Sequence, residues 1–433
     1  MRASGALRNE SAFPPKRTLR GVFAITNAER DSMRRLARWF GSVLLLTVSM
    51  LLLVACDDEE MTPQNENKKG LAYYEAGDYE KAAEYFSRAL ELDNANLEVH
   101  NNYGMTFLQL KRYDEALREF EIVLVNSASE GSKAERLNKF AIRGKGMVYL
   151  QKQSYSDALT CFNNALDISA EKGWDVDILF YKANTLECMG YRTSAIDIYS
   201  DILSRDAENA RAFQKRGNLY RVEGRYEQAV SDYEAALSLS GESYSAYIGL
   251  YTCYVATGDT AKAEELLDKA ARLPVKTNED KYCLGQVHFY QGNYKSAKIE
   301  MEYAYDMGFF EADYFLGEIA LLDGRYEDAI ASFERYRSNS AVESPTVCNQ
   351  EAVCYLALFE YDKAQEMLNL GLGVPGAAAR QQLLRNQVAL YEERNELAKA
   401  YEALAEYIVS YPDDADAAKE YEFLKKRLGI ETK

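Results

Sequence analysis

Cysteine and histidine are the side chains here that could serve as nucleophiles, acid–base groups or metal ligands. The 433 residues include seven cysteines and two histidines. None of the six cysteines that follow Cys56 forms a Cys-X-X-Cys pair, which favours buried packing thiols; zinc binding and disulfides remain alternatives. The six are Cys161, Cys188, Cys253, Cys283, Cys348 and Cys354. His100 and His288 fall at packing positions of the repeat described below. Without a Gly-X-Ser-X-Gly motif, phosphate loop or metal constellation, we predict no enzymatic activity and no cofactor.

Cys56 differs from the other cysteines because an export signal precedes it. Three arginines, Arg34, Arg35 and Arg38, are followed by an uncharged apolar run over residues 39–55. The run ends in Leu53-Val54-Ala55-Cys56, which resembles the bacterial lipobox. That resemblance implies a lipid-modified Cys56 that becomes the new N-terminus and anchors the protein on the extracytoplasmic face of a bacterial cell membrane. The alternatives are an uncleaved membrane helix and twin-arginine export.

The flanking segments have their own compositions. Residues 1–32 are polar and basic, and we interpret them as a non-native upstream extension with Met33 as the true initiator. Residues 33–55 are then the signal peptide. Residues 56–67, which begin with Cys56 and four acidic residues, are expected to form a tether.

A recurring alanine organises most of the remaining chain. The steps between copies are 34, 42, 37, 34, 34, 34, 32, 35 and 36 residues. The alanines are Ala82, Ala116, Ala158, Ala195, Ala229, Ala263, Ala297, Ala329, Ala364 and Ala400. A period near 34 is typical of a helical solenoid, although a generic helical bundle is an alternative. The longer step of 42 indicates an insertion, and residues 126–133 are its expected loop.

The residues around each alanine repeat as well. A bulky residue follows four positions later, as at Phe86 and Tyr233, and a small residue usually precedes by twelve, as at Gly70 and Gly217. A Gly-X-aromatic turn often separates the two segments. These residues resemble the tetratricopeptide repeat. The resemblance covers residues 63–412 and implies an all-α, right-handed α-solenoid of about nine to ten helix pairs. Residues 413–433 are expected to supply a capping helix, N-capped by Asp414, and a tail.

In tetratricopeptide proteins the exposed side of the first helices lines a concave groove that holds extended peptides. The resemblance therefore implies a groove between Phe180 and Tyr314. Amides there could bond a peptide backbone, aromatics could anchor side chains, and two cations could attract acidic groups. The candidates are Phe180, Asn184, Arg211, Gln214, Lys215, Asn218, Tyr282, Gln286, Phe289, Tyr290 and Tyr314. The family's carboxylate clamp for C-termini is not reproduced.

The charge balance limits the partners. The chain carries a net charge of −17, which disfavours nucleic acid as a partner because phosphates are repelled. We expect a membrane-anchored lipoprotein that binds a protein or extended peptide as a scaffold, with envelope assembly or secretion as the expected setting. A structural glycan- or wall-associated envelope protein is the alternative. The oligomeric state is left open.

Overall fold

The computed structural model describes residues 61–127, 131–340, 343–374 and 379–430, and these residues form helices and turns without strands. Two compact units divide the chain, Met1–Lys152 and Gln153–Lys433. The first contains α1 (Pro63–Glu75), α2 (Tyr79–Leu92), α3 (Leu97–Gln109), α4 (Tyr113–Asn126) and α5 (Ser132–Gln151). The second contains α6 (Tyr155–Asp167), a 3₁₀ turn (Lys172–Trp174), α7 (Asp175–Cys188), α8 (Arg192–Arg205), α9 (Ala210–Val222), α10 (Tyr226–Ser240), α11 (Tyr244–Thr257), α12 (Thr260–Ala270), α13 (Asn278–Tyr290), α14 (Tyr294–Asp306), α15 (Ala312–Leu322), α16 (Tyr326–Asn339), α17 (Pro345–Ala357), α18 (Tyr361–Leu372), α19 (Arg380–Glu393), α20 (Leu397–Ser410) and α21 (Ala415–Arg427).

Odd-numbered helices up to α19 are the first helices of their repeats, and even-numbered helices are the second. Within unit 2, each first helix from α7 to α19 packs against the second helix that follows it. Connections of two or three residues leave no room for a crossover, so the paired helices are antiparallel. The expected all-helical solenoid of helix pairs is confirmed.

The recurring alanine is the closest-packed position of each repeat. All ten alanines are 1% exposed or less, and the bulky residue one turn later is at most 3% exposed in every copy. A small side chain lets the two helices approach, and the bulky neighbour fills the adjoining space. The alanine spacing therefore reports the core of the solenoid.

Glycines of the first helices receive those bulky side chains. A Cβ atom on Gly70 would lie 2.6 Å from the Phe86 ring, and one on Gly317 would lie 2.5 Å from the Phe333 ring. Tyr233 of α10 lies against two glycines: added Cβ atoms would approach its ring to 3.2 Å from Gly217 and 2.3 Å from Gly249. Gly217 belongs to the same repeat and Gly249 to the next, so one ring joins two repeats.

The turn between first and second helices has the same backbone form throughout the described chain. One residue in each turn has a positive φ, such as 79° at Gly77 and 72° at Gly324. Repeats that lack glycine keep the left-handed conformation, with φ values of 58° at Lys111, 60° at Phe359 and 56° at Asn395. The turn geometry is therefore fixed by helix packing rather than by glycine alone.

The structure corrects the expected insertion loop over residues 126–133. The first helix α5 has 20 residues, whereas α3 has 13, and it already begins at Ser132. Most of the extra chain therefore lengthens a helix instead of forming a loop over residues 126–133. Continuing the helix satisfies each added backbone group within the segment, which a loop of the same length would leave to solvent.

The first and the last helix of the described chain both have an N-terminal cap. Thr62 caps α1 by accepting a bond from the Asn65 backbone N–H, at 3.2 Å. Because α1 begins at Pro63, residues 63–67 of the expected tether are helical. Asp414 caps α21, accepting from the Ala417 N–H at 3.0 Å, and three basic residues occupy the last turn.

The expected signal peptide, the extension before it and Cys56 lie outside the described residues. Among the residues that are described, none of the helices combines the length and apolar character needed to cross a membrane.

Candidate functional site

The first helices of unit 2 from α9 to α19 form a continuous layer, here called the inner wall. Those of successive pairs contact one another from α9 to α19. Between α15 and α19 their polar side chains bond across the helices: Gln350 donates to Glu318 at 2.7 Å, and Asn386 donates to Asn349 at 2.8 Å. The amide side chains from α15 to α19 therefore stabilise the packing of neighbouring first helices.

Farther toward the N-terminus, the wall opens into a cavity of about 490 Å³, here called the central groove. Its lining comes from α9, α11, α13 and the turn before α15. The residues are Asn218, Arg221, Ser245, Ile248, Gly249, Thr252, Glu279, Tyr282, Cys283, Gln286, Tyr290, Phe309 and Glu311. Asn218, Tyr282, Gln286 and Tyr290 were candidates from the sequence.

A smaller cavity of about 130 Å³, here called the side pocket, lies between α7, α8 and α9. It is lined by Asp177, Phe180, Tyr181, Asn184, Tyr199, Arg211 and Lys215. The candidates Phe180, Asn184, Arg211 and Lys215 thus come together, separately from the central groove. Helix α9 lines both cavities.

Asn218 is oriented by its own repeat. The Tyr233 hydroxyl donates to the Asn218 amide oxygen at 2.7 Å. Burial raises the pKa of Tyr233 to about 12, so the hydroxyl stays protonated and can donate at neutral pH. This bond uses the Asn218 oxygen and leaves the amide N–H groups as donors for the groove.

The Tyr282 side chain lines the groove as part of the packed helices and is not a mobile anchor. Its ring stacks on Phe309 with centroids 5.5 Å apart and meets Phe315 edge-on at 6.3 Å. Burial raises the pKa of its hydroxyl, which also hydrogen-bonds Gln286. Tyr282 therefore holds Gln286 in place while it packs α13 against the turn before α15.

Three candidates do not line either cavity. Gln214 is engaged with α11, accepting from Ser243 and donating to Ser245, both at 2.8 Å. Phe289 packs against Phe315 at 5.2 Å and Tyr294 at 5.6 Å. Tyr314 packs against Phe333 at 6.4 Å. Their half-buried positions reflect helix packing, which the sequence spacing alone does not distinguish from groove lining.

Arg221 is the groove residue that the sequence interpretation missed. It lies one turn after Asn218, and its Nε atom is enclosed without a hydrogen-bond partner among the residues that the structure describes. The guanidinium also bonds the Tyr233 hydroxyl. Its signal in the sequence is the charge of α9, which has three arginines and one lysine but no acidic residue.

Neither cysteine nor histidine gives the groove reactive chemistry. Burial raises the pKa of the Cys283 thiol to about 12, so it is not a thiolate at neutral pH. All six described cysteines are unpaired, and four are buried. His100 and His288 contact Glu119 and Glu300 at 2.6 and 2.8 Å. Within the described ranges, no cluster of three His, Cys, Asp or Glu side chains could hold a metal.

Comparisons with known proteins agree with this architecture. Models described as tetratricopeptide repeat match residues 67–130, 222–276 and 282–343. A protein of Arabidopsis thaliana named Hsp70-Hsp90 organizing protein 3 is 20% identical over 232 residues, which are 54% of this chain and 40% of that protein. This chain therefore matches less than half of the plant protein's length.

Solved structures with similarity to the chain include three of interest. The APC/C hetero-tetramer Cut9-Hcn1 shows 15% identity and a TM-score of 0.45, covering 92% of this chain and 99% of its own. A tetratricopeptide repeat protein from Parabacteroides merdae ATCC 43184 shows 17% identity and a TM-score of 0.42, covering 57% of this chain and 98% of its own. YrrB, described as a TPR protein with an unusual peptide-binding site, shows 19% identity and a TM-score of 0.33, covering 44% of this chain and 93% of its own. Over residues 67–130, 222–276 and 282–343, the matched models and the repeating helix pairs show that the chain contains tetratricopeptide repeats.

Proposed function

We propose that the protein is a scaffold that binds a protein segment in the central groove. The observation that carries this proposal is the change along the inner wall. From α15 to α19 the amides bond side chains of the neighbouring first helix, whereas in the central groove Asn218 and Gln286 line an open cavity beside Tyr282 and Tyr290. Polar groups beside aromatic walls are typical of sites that hold an extended peptide.

A photo-crosslinking amino acid placed in the groove tests the site in intact cells. At Ser245, which lines the groove, it should yield a covalent adduct with a partner protein. The control position is Leu239, which is 43% exposed on the second helix α10. Equal adducts at both positions, or adducts at Leu239 alone, would place binding elsewhere.

Amide substitutions test which side chains act. Gln286→Ala and Asn218→Ala should each weaken capture about fivefold to tenfold, since a typical hydrogen bond contributes about 1 kcal/mol. Gln228→Ala on the exposed side of α10 is the matched control and should leave capture unchanged. Circular dichroism verifies that the helices persist. Capture that is insensitive to both groove variants contradicts the proposal.

The proposal includes a location. The Arg34–Arg38 cluster, the apolar run and the Leu53-Val54-Ala55-Cys56 ending support a lipid anchor at Cys56 on the extracytoplasmic face of a bacterial membrane. Cys56→Ser should abolish labelling by a fatty-acid probe and change the membrane fraction or processing. Continued labelling of that variant would show that Cys56 is not the acylated residue.

The alternative is a structural protein of the glycan wall. It predicts adducts that a wall-degrading muramidase dissolves and that groove substitutions do not affect. A protein adduct that resists muramidase and depends on Gln286 favours the scaffold.

A further inference from the structure

We propose that the central groove and the side pocket together bind an acidic segment of the partner, with Arg221 holding one Asp or Glu carboxylate. This inference rests on the proposed function, because it names the kind of segment that the groove accepts. Helix α9 lines both cavities, and its cations are the basis of this inference.

The charge of α9 is opposite to that of the protein. The helix contains three arginines, one lysine and no acidic residue, in a chain whose net charge is −17. Arg216 is neutralised by Asp232, with two contacts of 2.8 Å. Arg211, Lys215 and Arg221 have no ion-pair partner among the described residues, and all three line the cavities.

Other arginines of unit 2 with partly buried side chains are paired. Arg335 bonds Asp313 at 2.7 Å, Arg337 bonds Glu351 at 2.7 Å, and Arg385 bonds Glu420 at 2.7 Å. Burying a cation without an anion is costly, which is why such pairing is the rule. Lys215 and Arg221, which are half-buried, therefore mark a place where a negative charge from another molecule is favoured, whereas Arg211 is exposed and lies over the Phe180 ring.

Arg221 is the strongest of these positions. Its Nε atom is shielded from solvent and makes no hydrogen bond within the described ranges. Two guanidinium N–H groups can bond a carboxylate side by side, a geometry that single-point donors do not provide. Asn218 and Ser245 line the same groove and supply further donors.

The acidic side chains near the groove define where a carboxylate can sit. Glu279 and Glu311 also line it, and both are exposed. They repel a second anion on the side of α13 and α15. A ligand carboxylate is therefore favoured at the α9 wall, while uncharged or aromatic ligand side chains suit the space between Tyr282 and Tyr290.

The distance between the cations of α9 predicts the spacing of the acidic residues in the bound segment. Lys215 and Arg221 are six residues apart, which is about 9 Å along a helix axis. An extended peptide covers about 3.3 Å per residue, so carboxylates that meet both cations are at least about three residues apart. The side pocket lies on one side of α9 and the central groove on the other, so we expect an internal segment rather than a chain end.

The test is a selection from a phage library of random peptides of about twelve residues on the full chain in detergent micelles. Enriched sequences are then synthesised with acetylated and amidated ends, and their affinity is measured by fluorescence anisotropy. We expect enrichment in Asp and Glu, although the net charge of the protein disfavours acidic peptides. Arg221→Gln should weaken these peptides at least about tenfold, and Lys215→Gln by several-fold. Arg272→Gln, at an exposed arginine after α12, removes the same charge away from both cavities and should change little.

Three results would overturn the inference. Enriched peptides that are neutral or basic would do so, as would acidic peptides that bind Arg221→Gln and Lys215→Gln as tightly as the parent protein. Binding that requires a free C-terminal carboxylate would show a chain end instead of an internal segment. If neutral peptides are lost in Gln286→Ala but retained in Arg221→Gln, the proposed function survives and the acidic specificity fails. If no peptide is enriched, both fail.

Discussion

At the scale of single residues, glycine decides how closely two repeats can approach. Gly249 of α11 faces the Tyr233 ring, where an added Cβ atom would lie at 2.3 Å. Gly249→Ala should therefore displace the ring and lower the free energy of unfolding by about 1–3 kcal/mol. The matched control is Gly173→Ala, because a Cβ atom there meets nothing within 4 Å. Chemical denaturation of both variants measures the difference; equal stability would show that the contact is not tight.

His100 makes the stability of the first unit depend on pH. Burial opposes its protonation, but the hydrogen bond and charge of Glu119, with a further bond to the Asn94 carbonyl, raise the pKa of His100 above its usual value. A raised pKa stabilises the fold below the unfolded value of about 6.5 and ceases to do so as pH rises through the folded value. Hydrogen-exchange protection of α3 and α4 should fall as pH rises through this range, after correction for intrinsic exchange. Glu119→Gln should remove that dependence; an unchanged profile would assign it to another group.

At the scale of helices and turns, the left-handed residue between paired helices offers a route to stabilisation. Phe359 adopts a φ of 60° and is 73% exposed, so it bears the cost of this conformation without burying its ring. Phe359→Gly should raise the free energy of unfolding by about 0.5–1 kcal/mol. Gly324→Ala in the equivalent turn should lower it by a similar amount. Thermal unfolding compares the two, and a destabilised Phe359→Gly would mean that the ring contributes to packing.

The same scale shows what sequence can and cannot predict. Ala229, Tyr233 and Gly217 follow a spacing that only a packed helix pair explains, so the fold could be predicted from their positions. The helical extension at Ser132 could not, because polar residues of an insertion carry no periodic pattern. Phe289 and Tyr290 are adjacent in sequence, yet only Tyr290 lines the groove. Which of two exposed-looking aromatics faces a cavity depends on the angle between successive repeats.

At the scale of the whole molecule, a solenoid transmits packing only between neighbours. Leu424 of α21 is fully buried against the last helix pair, whereas Phe423 beside it is 58% exposed. Leu424→Ala should cost about 2–4 kcal/mol locally and reduce hydrogen-exchange protection in α19, α20 and α21. Protection in α7 to α10 should not change, and Phe423→Ala should affect neither region by more than about 0.5 kcal/mol. A loss of protection that spreads to α7 would mean that unit 2 unfolds as one cooperative body.

The ring of Tyr233, shared between Gly217 and Gly249, also constrains how such a chain can change in evolution. A repeat that is duplicated, deleted or recombined must arrive with a partner whose first helix offers a small residue at the matching position. Whole repeats can therefore be exchanged only in phase, and a large residue at Gly249 must be accompanied by a smaller one at Tyr233. Designed chimaeras of this protein should be joined inside the turns between first and second helices, which keeps each aromatic ring together with the glycine of the repeat that follows.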